Sequence, residues 1–487
     1  MDMALHVAPS SSDPASRRLR RQAEAGSLRR ITAGVYTDDL TSPLDAVVRR
    51  ELLPILAAVV PEAMISHRSA LGTPISPAGS VHLTGPYRRE LKLPGLRLVI
   101  RKGPGPLASD IRVPTRTGAV QHSSLPRALL ENLAIARARD PAERHVIGQA
   151  GVEGKLESLL ATQGETALNR LRDDANAVGQ ALGLEAEAAK LDRLIGALLG
   201  TRPGKLVHPA AVARQQGFAY DLRRADLFAR AAESLAASSP SVPPATSGGD
   251  VELRAFAESY FSNYIEGTEF EIEEAHTIVA TRQALAYRED DSHDVIGTFN
   301  AILDSMARPV FPTSFDAFTA QLQSWNSQVL FSRSSKRPGH WKERANRAGS
   351  TEFVDPALVR GTLAKGFEYV VQAQDPVAKA ALAMLVVLEV HPFTDGNGRT
   401  ARLALNLALS AAGLVRIIVP TVFREDYVLT LKAFSNDGHI EPFIRMMARV
   451  ARFSAWLDFA SKTTLFGQLE RSNALKSPLE GKLTFPA

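Results

Sequence analysis

The run Val377–Val390 is almost continuously apolar, with Leu382, Met384, Leu385, Val386, Val387 and Leu388 in succession. It lacks the alternation of a half-buried strand, exceeds ordinary strand length and is too short for a bilayer span, so it predicts a buried helix. Pro392 stops that helix, Asp395 to Gly398 supply turn chemistry, and helical spacing resumes from Arg399 until Gly413. The chain is thus committed to a buried helix, a tight loop and a second helix. The loop places His391 before an Asp-Gly-Asn-Gly turn, with Arg399 and Arg402 one helical turn apart. Phosphates suit such a place, because unpaired N–H groups and the helix dipole favour anions and two guanidiniums on one face can share a polyphosphate.

The 487 residues, 45% of them hydrophobic, exceed one ordinary core and predict several compact units. No cysteine occurs, which excludes disulfides, thiolate metal centres and a thiol nucleophile and accords with a reducing cytoplasm. The N-terminus lacks a long apolar core, so the reading is a cytoplasmic protein with no membrane partner. A net charge of +5 over this length is mild evidence for a nucleic-acid partner; its distribution says more. Arg17, Arg18, Arg20, Arg21, Arg29 and Arg30 stand against one acid, Glu24, and lead into Leu28-Arg29-Arg30-Ile31-Thr32-Ala33-Gly34-Val35-Tyr36. This short motif resembles the wing of winged-helix units in abortive-infection type antitoxin regulators. Such a wing would place arginines on DNA phosphates; the alternative is a solvated arginine-rich face.

The expected organisation is a basic α/β region over 1–125, a helical region over 126–237, a linker or long loop over 238–250, a second helical domain over 251–460 and a tail over 461–487. Leu156, Leu159, Leu160, Leu168 and Leu171 carry the helical spacing of the second region. Its histidines, such as His145 and His208, lack metal-ligand spacing and read as surface or core. The Ser, Pro and Gly of Ser238–Asp250 cannot continue a helix.

His391-Pro392-Phe393-Thr394-Asp395-Gly396-Asn397-Gly398-Arg399, with Arg402 three residues on, resembles the Fic (filamentation induced by cAMP) signature H-P-F-x-[D/E]-G-N-G-R-x-x-R at every fixed position. The resemblance implies a mainly α fold: an all-helical core with a small flap hairpin, which here follows the helical region and the small α/β region. It also implies transfer of AMP from ATP to a Tyr, Thr or Ser hydroxyl of a target protein. His391 would be the general base and Asp395 the Mg²⁺ ligand. Gly396, Asn397 and Gly398 would cradle phosphates, Arg399 would steady the β-phosphate and Arg402 the γ-phosphate. A related phosphorylating branch has lysine where this chain has Gly398, so Gly398 favours nucleotidyl transfer.

Upstream, Ser262-Asn263-Tyr264-Ile265-Glu266-Gly267 matches the family's inhibitory pattern [S/T]-x-x-x-E-[G/N]. Ser262 and Glu266 share a helix face and Gly267 suits its end. The match implies that Glu266 reaches Arg402 and shuts out the γ-phosphate, and some relatives also use this Glu in removing AMP. Asn346–Pro356 falls at the family's flap, and Phe423, Arg424 and Tyr427 fall where its adenine site is lined; an ordinary hairpin and core packing are the competing readings. The alternative from a different class is a DNA-binding or antitoxin-like regulator whose Fic domain serves as a nucleotide sensor.

Overall fold

The computed structural model describes residues 5–8, 13–135, 141–246, 248–349 and 351–486. Ser247 in the expected linker, Ser350 in the expected flap and Ala487 of the tail therefore lie outside the described residues. The chain forms two compact units, Met1–Gln215 and Gln216–Ala487.

In the first unit the helix Pro14–Glu24 starts on an Asp13 cap and exposes Arg17, Arg18, Arg20 and Arg21. A hairpin of Arg29–Thr32 and Val35–Thr37 follows, turning at Gly34 with φ +77° and adding Leu5–Val7 as a third strand. Arg29 is committed internally, donating to the carbonyl of Ser42 at 2.6 Å. Next comes a six-stranded mixed sheet in the order Arg89–Leu93, Leu96–Lys102, Ser80–Gly85, Met64–Ile65, Gly118–His122, Ile111–Thr115. Val81, Leu83, Leu98 and Ile100 pack one face into a core with Ile55 and Leu56. Strand alternation puts Ser80, His82, Thr84, Arg97 and Arg101 on the opposite face. A separate helical core gathers Leu129, Leu156, Leu168, Leu171, Leu191 and Ile195 from Leu125–Leu133, Gly148–Leu182 and Glu185–Leu198.

The division falls after Gln215 and not within 238–250. Helix Leu222–Ala237, grouped with the helical region on sequence, buries Leu227, Phe228, Ala231 and Leu235 in the core of the second unit. The Ser/Pro/Gly-rich stretch after it is pinned in that unit: Ala245 N–H donates to Gly413 O and Val415 N–H to Pro243 O, both at 2.9 Å. The tail also contributes a helix, Lys462–Arg471, which seats Leu465 and Leu469 in the same core. Composition could not reveal this, since both segments bury only the few apolar residues they own.

At the centre of the second unit lies Pro376–Val390, started by Asp375, whose carboxylate accepts the N–H of Val377 at 2.9 Å. Eleven of its residues are buried, against Leu222–Ala237, Val359–Gln372 and Asn397–Ala411. Each large aliphatic side chain so buried stabilises the fold by roughly 1.5–3 kcal/mol before entropy is counted. No helix among the described residues is long and apolar enough to cross a membrane.

Candidate active site

His391 ends the central helix in the left-handed region, with φ 51° and ψ 59°, which turns the chain sharply after a long apolar helix. Its Nδ1–H faces the carbonyl of Leu388 at 3.3 Å, leaving Nε2 with a free lone pair. Burial pushes its pKa down to about 4, with the neighbouring Lys342 charge acting in the same direction. The ring is neutral at physiological pH.

The loop after it is internally bolted. Asn397 accepts from Phe393 N–H and donates to Phe393 O, both at 2.9 Å, so one amide side chain closes the turn. Asp395 Oδ1 accepts the N–H of Gly396 at 2.7 Å, while Oδ2 faces the ammonium of Lys336 at 3.4 Å. Gly396, at φ +74°, caps helix Asn397–Ala411, whose first-turn N–H groups have no partner within the helix. Arg399 stands in that first turn and Arg402 one turn further on. Arg399 Nη1 pairs with Asp294 at 2.9 Å and donates to Asn263 Oδ1 at 3.2 Å.

Arg402 is held from the helix Val251–Ile265. Its Nε donates to Ser262 Oγ at 2.9 Å and its Nη2 to the Ser262 carbonyl at 2.8 Å and to Glu266 Oε1 at 2.7 Å. Glu266 caps that helix and Gly267 follows at φ +91°, so the chain leaves the helix directly after presenting the carboxylate. Burial on its own raises the Glu266 pKa; the charges of Arg402 and Arg399 outweigh it and hold the carboxylate ionised. Gly398 makes this approach feasible, because a Cβ there would overlap Glu266 Oε1. Tyr427 is buried beside the pair, its hydroxyl 3.4 Å from Arg402 Nη1. Phe423 lies against the guanidinium of Arg449, and Arg424 donates to the Ile265 carbonyl at 3.1 Å.

The Fic/DOC family model matches residues 317–409. The chain contains a Fic domain. Protein adenylyltransferase fic-1 of Caenorhabditis briggsae is 35% identical over 116 residues, 23% of each chain. The fic-1 adenylyltransferase of Caenorhabditis elegans is 45% identical over 75 residues, 15% of each, and protein adenylyltransferase Fic of Drosophila mojavensis 29% identical over 209 residues, 40% of each. The chain thus spans less than half the length of these curated relatives.

Several residues that shape the Fic domain were given no role by the sequence, although Phe353 and Asn346 fall in the expected flap. Phe353 stacks flat on the His391 ring, with centroids 3.7 Å apart and planes 7° from parallel. It follows the short hairpin Arg347–Ala348 with Thr351–Glu352. Lys342 donates its backbone N–H to Pro392 O at 2.9 Å, and its ammonium to Asn346 Oδ1 at 2.7 Å; burial pushes that ammonium down to about 8. Asn326 donates to the Asp395 carbonyl at 2.8 Å. Arg224, buried against Glu389, also donates to the Glu352 carbonyl at 2.8 Å and so ties the hairpin to the central helix. These residues act through tertiary approach: Phe353 lies 38 positions from His391, Lys342 50 from Pro392, Asn326 69 from Asp395 and Arg224 128 from Glu352.

Proposed function

We propose that this protein transfers AMP from ATP to a hydroxyl group of a target protein, and that Glu266 restrains it. The observation that carries the reading is the convergence of His391, Asp395 and Arg402 around the start of helix Asn397–Ala411, with Glu266 on Arg402. In the proposed reaction the neutral His391 takes the acceptor's proton at Nε2. The hydroxyl oxygen bonds to the α-phosphorus, the bond to the bridging oxygen breaks, and pyrophosphate leaves. Gly396 lets the backbone approach the phosphates closely, Asn397 and Gly398 receive them on backbone N–H groups, and Arg399 and Arg402 balance the charge of the β- and γ-phosphates.

Asp395 fits a Mg²⁺ ligand: its Oδ2 meets only a cation, Lys336, and its carboxylate is part-exposed at the phosphate end of the helix. Mg²⁺ typically takes one or two carboxylates plus phosphate oxygens, and when bound it neutralises phosphate charge. The acceptor side is supported by the hairpin Arg347–Ala348 with Thr351–Glu352, which could align an extended target segment. A cavity of about 140 Å³ beside His391, lined by Thr351, Phe353, Leu388, Val428 and Leu431, leads to the base.

With Arg402 occupied by Glu266, the γ-phosphate has no guanidinium to meet, and a carboxylate repels it. The resting protein is therefore proposed to be weakly active, and Glu266 to be placed for reversal of the modification as well. The test is incorporation of labelled AMP with Mg²⁺ by the wild type, Glu266→Gly and Glu266→Gly/His391→Ala. Strong labelling by the single variant alone is expected; equal, histidine-independent labelling of all three would sink the mechanism.

A second reading, a DNA-binding regulator with the Fic domain as nucleotide sensor, draws on the four exposed arginines of Pro14–Glu24. A gel-shift titration across salt decides it: a steep loss of binding with salt supports it, and no complex at low salt removes it.

A further inference from the structure

The sheet face opposite the Val81 and Leu83 core carries a second concentration of chemistry, in the first unit and independent of the Fic domain. Strand Met64–Ile65 ends at Ser66, and His67 takes a left-handed conformation with φ 53°. Backbone bonds then draw three histidines together: Ser66 N–H donates to His82 O at 3.2 Å and Arg68 N–H to His145 O at 2.9 Å. The His67 and His145 rings lie 4.9 Å apart, and His82 N–H donates to Ser69 Oγ at 2.9 Å. Arg101, on the neighbouring parallel strand, is in register with Thr84 and so shares the face of His82.

Two groups here lack what buried polar groups normally have. His82 is 2% exposed, yet neither ring nitrogen has a hydrogen-bond partner. The Nε of Arg101 is likewise buried and unpartnered, and no carboxylate pairs with this guanidinium among the described residues. Leaving such donors unmatched costs about 1–3 kcal/mol each. The surrounding charges are already committed. Glu131 accepts from His67 N–H, Ser123 Oγ and Arg127 Nε, and Arg127 also pairs with Asp110 at 2.7 Å. Arg97 is shared between Glu90 and Glu143, and Arg68 donates to the carbonyls of Ala142 and Arg144. Arg88 adds a further positive charge near Arg101.

We propose that His67, His82, His145 and Arg101 form a binding site for a phosphate group, either free phosphate or a phosphate monoester. The chemistry selects this class. A metal cation would meet the like charge of Arg101, whereas a tetrahedral dianion offers several acceptors to one guanidinium and three imidazoles that can each donate. Burial first, and Arg101 with it, holds the pKa of His67 at about 4, His82 at about 3 and His145 at about 4, so all three are neutral without a ligand. A bound dianion reverses the sign of the field and raises those values, so binding takes up protons. Affinity therefore rises as pH falls only between the raised bound values and the free values of these histidines and while the ligand remains a dianion, by at most about tenfold per pH unit for each proton taken up.

The experiment is a titration of the full-length protein, labelled with ¹⁵N at histidine, with inorganic phosphate and separately with phenyl phosphate. His82→Gln assigns the His82 signals. The expected result is that the ring signals of His67, His82 and His145 shift, that their titration midpoints rise, and that Arg101→Gln removes the response. Labelled-AMP transfer at His391 in a Glu266→Gly background should stay unchanged in Arg101→Gln. A response to inorganic phosphate alone identifies free phosphate as the ligand; an equal or tighter response to phenyl phosphate identifies a monoester. Unmoved signals with both compounds in the wild type, or a response that survives Arg101→Gln in a folded protein, would overturn the proposal.

Discussion

At the scale of single residues the second unit turns on one contact, Arg402 with Glu266 at 2.7 Å, and on the missing side chain at Gly398 that admits it. The same guanidinium cannot serve a carboxylate and a γ-phosphate together. Glu266→Gly should therefore raise AMP incorporation about 5- to 150-fold, the span of a 1–3 kcal/mol coupling between sites, read from initial rates with labelled ATP. His391 makes a second prediction. An ordinary histidine near 6.5 is largely protonated at pH 5.5, but with its value pushed down to about 4 this one stays neutral and keeps its lone pair. In the Glu266→Gly variant kcat/KM should hold level from pH 8 down to about 5.5, falling only as pH nears the depressed value; an acid limb centred at 6.5 would contradict it.

At the scale of elements, the hairpin and the central helix are coupled. Phe353 covers the His391 ring, and the hairpin that precedes it is held through Arg224 to Glu389. Phe353→Ala should uncover the imidazole, so that diethyl pyrocarbonate modifies His391 severalfold faster, as mass spectrometry of the peptide would read. The buried Arg224–Glu389 pair behaves differently from a surface bridge. Burial raises the Glu389 pKa and the adjacent Arg224 charge opposes it, so the carboxylate depends on its partner. Glu389→Ala should destabilise the unit by about 3–5 kcal/mol in urea unfolding, whereas Arg224→Met with Glu389→Leu should recover most of that loss.

At the scale of the whole molecule, the core that holds the Fic domain draws its buried residues, among those described, from Leu227 to Leu483, all within the second unit. Residues 216–487 expressed alone should unfold cooperatively and, with Glu266→Gly, retain AMP incorporation. Insolubility, or loss of labelling in a folded fragment, would show that the first unit is needed.

Legibility followed the range of the forces involved. The buried helix, the turn after it and the second helix were readable because apolar spacing, Pro392 and the glycines act on their own neighbours in the chain. Ser262 and Glu266 were readable as one helix face for the same reason. Helix Leu222–Ala237 was assigned to the wrong neighbour, since its apolar face says that it packs but not against what. His145 read as an isolated side chain, and the bonds from Arg68 to its carbonyl and to those of Ala142 and Arg144 bring it to His67. By itself the sequence determined the buried helix and the helix that follows it, where the phosphate-sized loop between them lies and which residue types stand in it. Tertiary structure supplied the bond by which Glu266 sits on Arg402, a contact only the family pattern implied, and alone decided that Phe353 lies on His391 and that three histidines gather beside Arg101. Those contacts join residues 15 to 136 positions apart, and such pairings are set by the packing of whole elements, which no local pattern encodes.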